Sequence, residues 1–347
     1  VMPDVGRVEC LGTHAFWDEY AVDAMARIGV HWNRAWDNER IFTWSAVQPD
    51  SPDAFRWDFT DTKVNRGLAK GFKILGLLYA PGHRRSWSTE KEHWLHGRMK
   101  SQLGRDFVAD DELMRMWRRY VREVVSRYKG KVDVWELWNE PYGNFGHWSQ
   151  EDYMKLFRVT EPVVREANPD AKLAAPCTFG KWCAPLIEMG MLDKTEVFTY
   201  HGYGLGDEAL LDHYKWATAD GKDRPIFDTE NGGGAICRFF CKSYLGERFS
   251  GGPPEIKGLG YHLGTANIVR SLLSARGRGT DVFFQYWTRP YAPDVRVSSL
   301  IAHDGVIKPT GISYAIAGWM IDGYEPMGAL RLGEYVVEAL VPAHVLH

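Results

Sequence analysis

Cysteine is scarce: five in 347 residues, scattered and odd in number. That excludes a disulfide scaffold. Cys10, Cys177 and Cys183 read as isolated core or near-surface thiols. Cys237 and Cys241 are close enough to bridge within a loop, and no Cys/His cluster lies near enough in sequence to make them a zinc pair. No apolar run reaches about 18 residues, so no membrane span is expected. Charge of one sign is also missing: 42 Lys and Arg stand against 45 Asp and Glu, a net charge of −3. Neither nucleic acid nor an anionic membrane is therefore expected as a partner. The chain lacks low-complexity tracts, and it has no internal repeat beyond an alternating rhythm of short and long segments. It starts at Val1 with no signal peptide in view. A processed secreted or periplasmic protein is the expectation over a cytoplasmic one.

Aromatic residues are abundant, with 15 Trp, 16 Tyr and 16 Phe, and 45% of the chain is apolar. Two readings stand for the tryptophans: a rich core, or flat platforms on which the C–H faces of sugars stack. Short apolar segments alternate with longer amphipathic ones, which argues for βα units around a parallel sheet. The expected strands are Val8–Gly12, His31–Ala35, Lys73–Tyr79, Val132–Trp138, Lys172–Ala175, Val197–His201, Pro225–Glu230 and Asp281–Trp287. The expected helices are Asp18–Ile28, Asp61–Lys70 behind a Thr60 N-cap, Asp111–Tyr128, Glu151–Ala167, Ala184–Gly190, Glu208–Ala219, Leu259–Ala275 and Ile312–Ile321. Eight of each fit an α/β fold of the (β/α)8 TIM barrel type. A doubly wound sheet is the rival, but no Gly-rich phosphate loop follows the first strand. Length alone suggests two domains, yet such barrels run this long as one. Residues 1–325 are assigned to the barrel and 326–347 to a short C-terminal β extension, with one or two strands over Ala329–Val341. Three long connections, Trp36–Phe59, Ala80–Asp110 and Asn231–Gly258, are the segments expected to carry function.

The segment Trp138-Asn139-Glu140-Pro141 is the most informative. It ends the fourth strand, where Pro141 stops the ladder because it fixes φ and has no N–H to donate. Glu140 and Asn139 are thus delivered side by side at the strand mouth, the end at which parallel barrels carry their chemistry. Glu230 ends the seventh strand, opposite the fourth in a closed barrel, so two carboxyls can converge on one bond. Such a pair is what glycoside hydrolysis needs. Asp228 is a rival for Glu230, because strand alternation places residues two apart on one side. Glu136, four residues before Glu140, reads as a buried structural acid. His14, at the end of the first strand, is a candidate for binding a sugar hydroxyl. Trp36, Trp87 and Trp148 are candidates for subsite walls, with core packing as the alternative. His83, Arg84 and Arg85 read as a solvated basic loop.

On these motifs the chain resembles the clan A glycoside hydrolases, in the style of families 39 and 5, over about Val8 to Gly323. The resemblance implies a TIM barrel and a retaining mechanism on a β-linked carbohydrate. It implies Glu140 as the general acid/base and Glu230 as the nucleophile. It further implies Asn139 on the sugar 2-hydroxyl, Arg34 near the nucleophile, His201 and Tyr203 at the end of the sixth strand, and Trp287 as a floor for the sugar ring. No cofactor is required by this mechanism. The acid must hold its proton near neutral pH, so a raised Glu140 pKa is expected from burial or from the second carboxylate. A catalytically silent carbohydrate-binding barrel is the alternative. The pair of carboxyls weighs against it. A metal-dependent barrel enzyme would want convergent His and acid ligands, and no His-x-x-x-His spacing occurs.

Overall fold

The computed structural model of the chain describes residues 6–14, 18–35, 41–80, 105–142, 148–178, 180–203, 207–232, 254–286, 288, 299–302, 304–332 and 335–342. Trp287, Trp36, Trp87, His83, Arg84, Arg85, Cys237 and Cys241 lie outside the described residues.

Eight strands close a parallel barrel in sequence order: β1 Val8–Thr13, β2 Val30–Arg34, β3 Lys73–Leu78, β4 Val134–Leu137, β5 Lys172–Thr178, β6 Val197–His201, β7 Ile226–Asn231 and β8 Val282–Gln285. All eight expected strands are present, and they differ from expectation only at their ends. The surrounding helices are α1 Glu19–Arg27, α2 Trp44–Val47, α3 Asp58–Ala69, α4 Arg105–Ala109, α5 Asp111–Arg127, α6 Gln150–Ala167, α7 Cys183–Glu188, α8 Asp207–Ala217, α9 Pro254–Gly277 and α10 Pro309–Ile321. Helix α5 starts where the Asp110 carboxylate accepts from Leu113 N at 2.9 Å, and α6 where Ser149 Oγ accepts from Asp152 N at 3.1 Å. Each cap satisfies an amide that the first turn leaves unpaired. Thr60 is not a cap. It lies inside α3, buried, and its hydroxyl donates to Ile41 O at 2.7 Å. The tail forms an antiparallel hairpin, β9 Tyr324–Leu332 and β10 Tyr335–Pro342, lying against α9.

Strand alternation divides the barrel interior into layers. The lower layer is apolar: Leu75, Val134, Ala174, Val197, Phe227, Val282 and Phe284, with Trp32 packed on them. Two residues further along three of these strands come Arg34 after Trp32, Glu136 after Val134 and Thr229 after Phe227. All three are fully buried. The plug thus carries a polar layer directly above it. The upper strand ends also depart from regular pairing: register shifts fall between Pro176 and Thr178 on β5, Tyr200 and His201 on β6, and Asp228 and Asn231 on β7. Such irregularities re-aim side chains beside active sites.

Candidate active site

Arg34 at the end of β2 organises the polar layer. Its Nε donates to Glu136 Oε2 at 2.6 Å, its Nη1 to Glu230 Oε2 at 3.1 Å, and its Nη2 to Asn139 Oδ1 at 2.7 Å and Cys177 Sγ at 3.1 Å. One rigid fork therefore fixes groups from β2, β4, β5 and β7. Burial alone would disfavour the guanidinium charge. Glu136, Cys177 and Glu230 outweigh it and hold Arg34 above its ordinary range. Glu136 is completed by Thr229 Oγ1, which donates to Oε1 at 2.8 Å.

Glu230 accepts a second bond on its other oxygen, from Tyr203 Oη at 2.7 Å. Both oxygens are thus fixed, and 8% of the residue remains exposed. Burial pushes its pKa up, with the Glu140 charge adding to that; His201, Arg34 and Tyr203 oppose the rise without cancelling it. Asp228 does not share this surrounding. Its Oδ1 accepts from Gly202 N at 2.9 Å and its Oδ2 from Asn231 Nδ2 at 2.6 Å. The irregular register of β7 breaks the alternation that would have placed Asp228 and Glu230 together. Asp228 holds the start of the β6 loop instead. A Cβ on Gly202 would lie 2.2 Å from Asp228 Oδ2, so only glycine permits this approach.

Glu140 faces Glu230 from the end of β4. His201 Nδ1 lies 2.8 Å from Glu140 Oε1, and its Nε2 lies 3.3 Å from Cys177 Sγ and 3.8 Å from Glu230 Oε2. One oxygen of Glu140, one of Glu230 and one nitrogen of His201 all fall within 4.8 Å of one another. Burial pushes Glu140 up, but the hydrogen bond and charge of His201, with Arg34 and the Tyr142 hydroxyl, pull it below the usual carboxyl range. His201 moves the opposite way. Burial works against its charge, yet Cys177, Glu230 and Glu140 hold it well above the ordinary imidazole range. The expected raised pKa of Glu140 is therefore not found: His201, 2.8 Å away and held above its own range, is a basic partner whose contact the sequence did not reveal.

The backbone here is held in unusual conformations. Trp138, Glu140 and Cys177 have φ of 67°, 42° and 54°. Left-handed φ costs a non-glycine residue about 1–3 kcal/mol and persists only where the surroundings enforce it. Trp138 N donates to Leu78 O at 3.0 Å and Glu140 N to Cys177 O at 3.2 Å. The Trp138 ring is wedged against Tyr79 at 4.7 Å and Trp148 at 5.0 Å between ring centres. Trp148 is therefore part of the core rather than a subsite wall.

Asn139 spends Oδ1 on Arg34 and leaves Nδ2 without a partner among the described residues. His14 is fully buried with Nε2 2.7 Å from Thr229 O, and its ring meets Tyr286 edge-on at 5.1 Å. Burial, with Arg34 adding to it, keeps its pKa well below the ordinary range. The structure thus brings together Arg34, Asn139, Glu140, His201, Tyr203 and Glu230, with His14 beneath them. Trp287 follows β8 outside the described residues. Sequence reading missed Cys177; its one signal was its place at the C-terminal end of the fifth strand.

Glu140, His201 and Glu230 are the described residues whose ligand atoms cluster closely enough to hold a metal ion. Each is already held by a protein partner. Arg34 and Tyr203 occupy both oxygens of Glu230, and His201 occupies Glu140. A guanidinium 3.1 Å from Glu230 also supplies the positive charge that a cation would bring. The two carboxyls thus sit in different surroundings, one fixed on both oxygens, the other paired with an imidazole.

No family model matches the chain. It is 24% identical over 132 residues to endo-1,4-beta-xylanase A of Xylanibacter ruminicola, covering 37% of this chain and 33% of that protein. It is 23% identical over 142 residues to the beta-1,4-xylanase of Dictyoglomus thermophilum, covering 39% and 36%. The chain thus matches about a third of the length of these curated relatives. Among solved structures, a family 39 glycoside hydrolase from the gut symbiont Bacteroides cellulosilyticus WH2 superposes with a TM-score of 0.71 at 18% identity, over 98% of this chain and 69% of that one. A family 39 beta-xylosidase from Caulobacter crescentus gives 0.62 at 17% identity, over 96% and 77%. Xylanase 10B from Thermotoga petrophila RKU-1, solved with xylobiose, gives 0.61 at 13% identity, over 92% and 98%. At these identities the likeness is one of fold.

Proposed function

We propose that this chain, which shares the (β/α)8 barrel of the clan A glycoside hydrolases, is a retaining glycosidase acting on β-linked xylose-containing oligo- or polysaccharide. The observation that carries the reading is the approach of Glu140 and Glu230 across the barrel mouth to within 4.8 Å, oxygen to oxygen. Retaining enzymes hold their carboxyls about 5–5.5 Å apart, whereas inverting ones leave about 6.5–9.5 Å for a water. The choice of xylose as the first sugar rests on the names of the similar proteins, which are xylanases and a xylosidase.

Glu230 is the nucleophile. Arg34 and Tyr203 fix both its oxygens and favour its anion, so one lone pair is aimed at the anomeric carbon at no cost in reorganisation. Glu140, the more open of the two, is the acid. Its proton is shared with His201, whose Nε2 lies 3.8 Å from Glu230. As Glu230 bonds to the sugar, its charge disappears. His201 then loses an anionic neighbour that had held its proton, and the proton passes through Glu140 to the departing oxygen. In the second half Glu140, now a carboxylate, takes a proton from water as that water attacks the glycosyl–Glu230 ester. Asn139 Nδ2 offers a donor to the sugar 2-hydroxyl, a contact that strengthens as positive charge builds on the ring.

The test is hydrolysis of aryl β-glycosides, β-xyloside first, and of xylan, with the first-formed anomer followed by NMR. Retention, together with loss of turnover in Glu230→Gln, is the expected result. Glu140→Ala slows an unactivated xyloside by about 10²–10⁴-fold, the usual contribution of a general acid. The same variant barely affects an aryl glycoside whose leaving group needs no proton. Inverted product, or wild-type rates in both variants, refutes the assignment. Binding of xylo-oligosaccharides without hydrolysis favours a silent carbohydrate-binding barrel.

A further inference from the structure

Cys177 is a buried thiol that the mechanism above does not use, yet it touches three members of the site. Arginine has no acceptor, so the 3.1 Å contact from Arg34 Nη2 makes the sulfur accept. The thiol hydrogen points to Asn139 Oδ1, with Sγ 3.9 Å away. The remaining sulfur lone pair faces His201 Nε2 at 3.3 Å. With the thiol hydrogen directed to Nε2, that nitrogen is bare; with it directed to Asn139 Oδ1 instead, the sulfur accepts from that nitrogen and Nε2 carries a hydrogen, and the experiment below separates the two. With that hydrogen on Nε2, the other nitrogen of neutral His201, Nδ1, presents a lone pair to Glu140 Oε1, 2.8 Å away. A carboxylate facing that lone pair is repelled, and a carboxyl facing it donates.

We infer that Cys177 is a positioning residue, which by accepting from His201 Nε2 fixes the imidazole tautomer that keeps the exchangeable proton on the Glu140–His201 line. The inference rests on the glycosidase reading for its kinetic consequence, but not for its structural one. The proton balance is closed. One hydrogen moves between Glu140 Oε1 and His201 Nδ1, and the Nε2 and thiol hydrogens stay where they are. Without the sulfur, Nε2–H loses its acceptor; the neutral ring then keeps its one hydrogen on Nδ1 and the Glu140 carboxyl proton is released to solvent, leaving an ionised Glu140 that can no longer act as an acid. The left-handed backbone at Cys177 and the amide bond from its N to Thr199 Oγ1 at 3.0 Å hold the sulfur in this place.

Several charged or titratable groups also bear on His201. Arg34 comes from β2, His14 from the end of β1, Glu136 from β4 and Glu230 from β7. Glu140 and Tyr142 follow β4, and Tyr203 follows β6. Of these, Arg34 also touches the sulfur, at 3.1 Å, so the tautomer measurement is needed to read the His201 contact separately from it.

The experiment compares wild type, Cys177→Ala and Cys177→Ser in two ways. The first is 15N NMR of His201 in the free protein across pH, which reads the tautomer without any substrate. Wild type is expected to carry a hydrogen on Nε2 at every pH, with Nδ1 bare once the ring is neutral. Cys177→Ala should move it toward Nδ1, and Cys177→Ser, which can still accept, should restore the wild-type pattern. The second is the pH profile of kcat/KM on an unactivated β-xyloside. Its alkaline limb, where the acid loses its proton, should move about one pH unit downward in Cys177→Ala, the size of one hydrogen bond to a charged partner. An aryl substrate needing no acid should not follow. The inference is overturned by a wild-type His201 whose Nε2 is bare once the ring is neutral, or by the same neutral tautomer in all three proteins. A Cys177→Ala variant that is merely less stable, with its alkaline limb unmoved, also overturns it. Absence of any hydrolysis by wild type instead defeats the glycosidase reading, and leaves the tautomer measurement to decide the role of Cys177.

Discussion

Replacing Glu136 by Gln removes one charge from the site without removing its shape. Glu136 is fully buried beneath Glu140 and Glu230, 2.6 Å from Arg34 Nε and 2.8 Å from Thr229 Oγ1. A glutamine oxygen can still accept from Arg34, and its amide can face Thr229, whose hydroxyl has Tyr200 O 3.4 Å away as another acceptor. The hydrogen bonds therefore survive and the ion pair does not. At an effective dielectric constant of about 20, two charges about 4 Å apart interact by about 4 kcal/mol. Breaking one side of a buried pair costs about 3–5 kcal/mol, and the surviving contact of Arg34 with Glu230 places this case at about 3 kcal/mol. For a chain of this size that is a fall of about 4 °C in melting temperature. The change also has a kinetic sign. With Glu136 neutral, the full field of Arg34 falls on Glu230 and favours its anion, so the acidic limb of kcat/KM against pH moves downward. The assays are thermal unfolding at pH 7 and a pH profile on an aryl β-glycoside. A variant as stable as wild type, or an acidic limb that moves upward, refutes the view that Glu136 is the counter-charge that keeps Arg34 from over-stabilising the Glu230 anion.

Tyr203→Phe should shift the same limb the other way. It removes the 2.7 Å bond to Glu230 Oε1, a hydrogen bond to a charged group worth about 1.5–3 kcal/mol, so the limb rises by about 1–2 pH units; an unmoved limb would show that the phenol does not stabilise the anion. Asp228 offers a stability test. Burial raises its pKa from 3.8 to about 7, more than the bonds from Asn231 and Gly202 lower it. The folded state therefore binds a proton that the unfolded state releases. The stabilisation is complete below about pH 4 and is lost as pH rises through about 7, amounting to about 4 kcal/mol. Asp228→Asn should flatten the melting temperature between pH 4 and 8 relative to wild type, and parallel curves for the two proteins would contradict the assignment.

The architecture was legible because it rests on rules that act locally. Eight apolar segments of strand length, separated by amphipathic stretches, leave few arrangements other than a closed parallel barrel. Arg34, Glu136 and Thr229 sit inside it by the same alternation that puts Trp32, Val134 and Phe227 two residues earlier in the plug. Where alternation fails, sequence reasoning failed with it. Asp228 and Glu230 look equivalent on a regular strand, and only the irregular register of β7 sends one to Gly202 and the other to Arg34 and Tyr203. Cys177 and Glu140 meet His201 because their backbones adopt left-handed conformations that no propensity favours for those residues. The proton inventory was hidden for a related reason. A carboxyl beside a second carboxyl is expected to hold its proton, but one that meets an imidazole shares it, and β4, β5 and β6 supply the three partners from distant parts of the chain. The groups gathered at the barrel mouth were thus readable from residue type and strand position. The groups that set their protonation were not, because they depend on contacts made where the strands stop being regular.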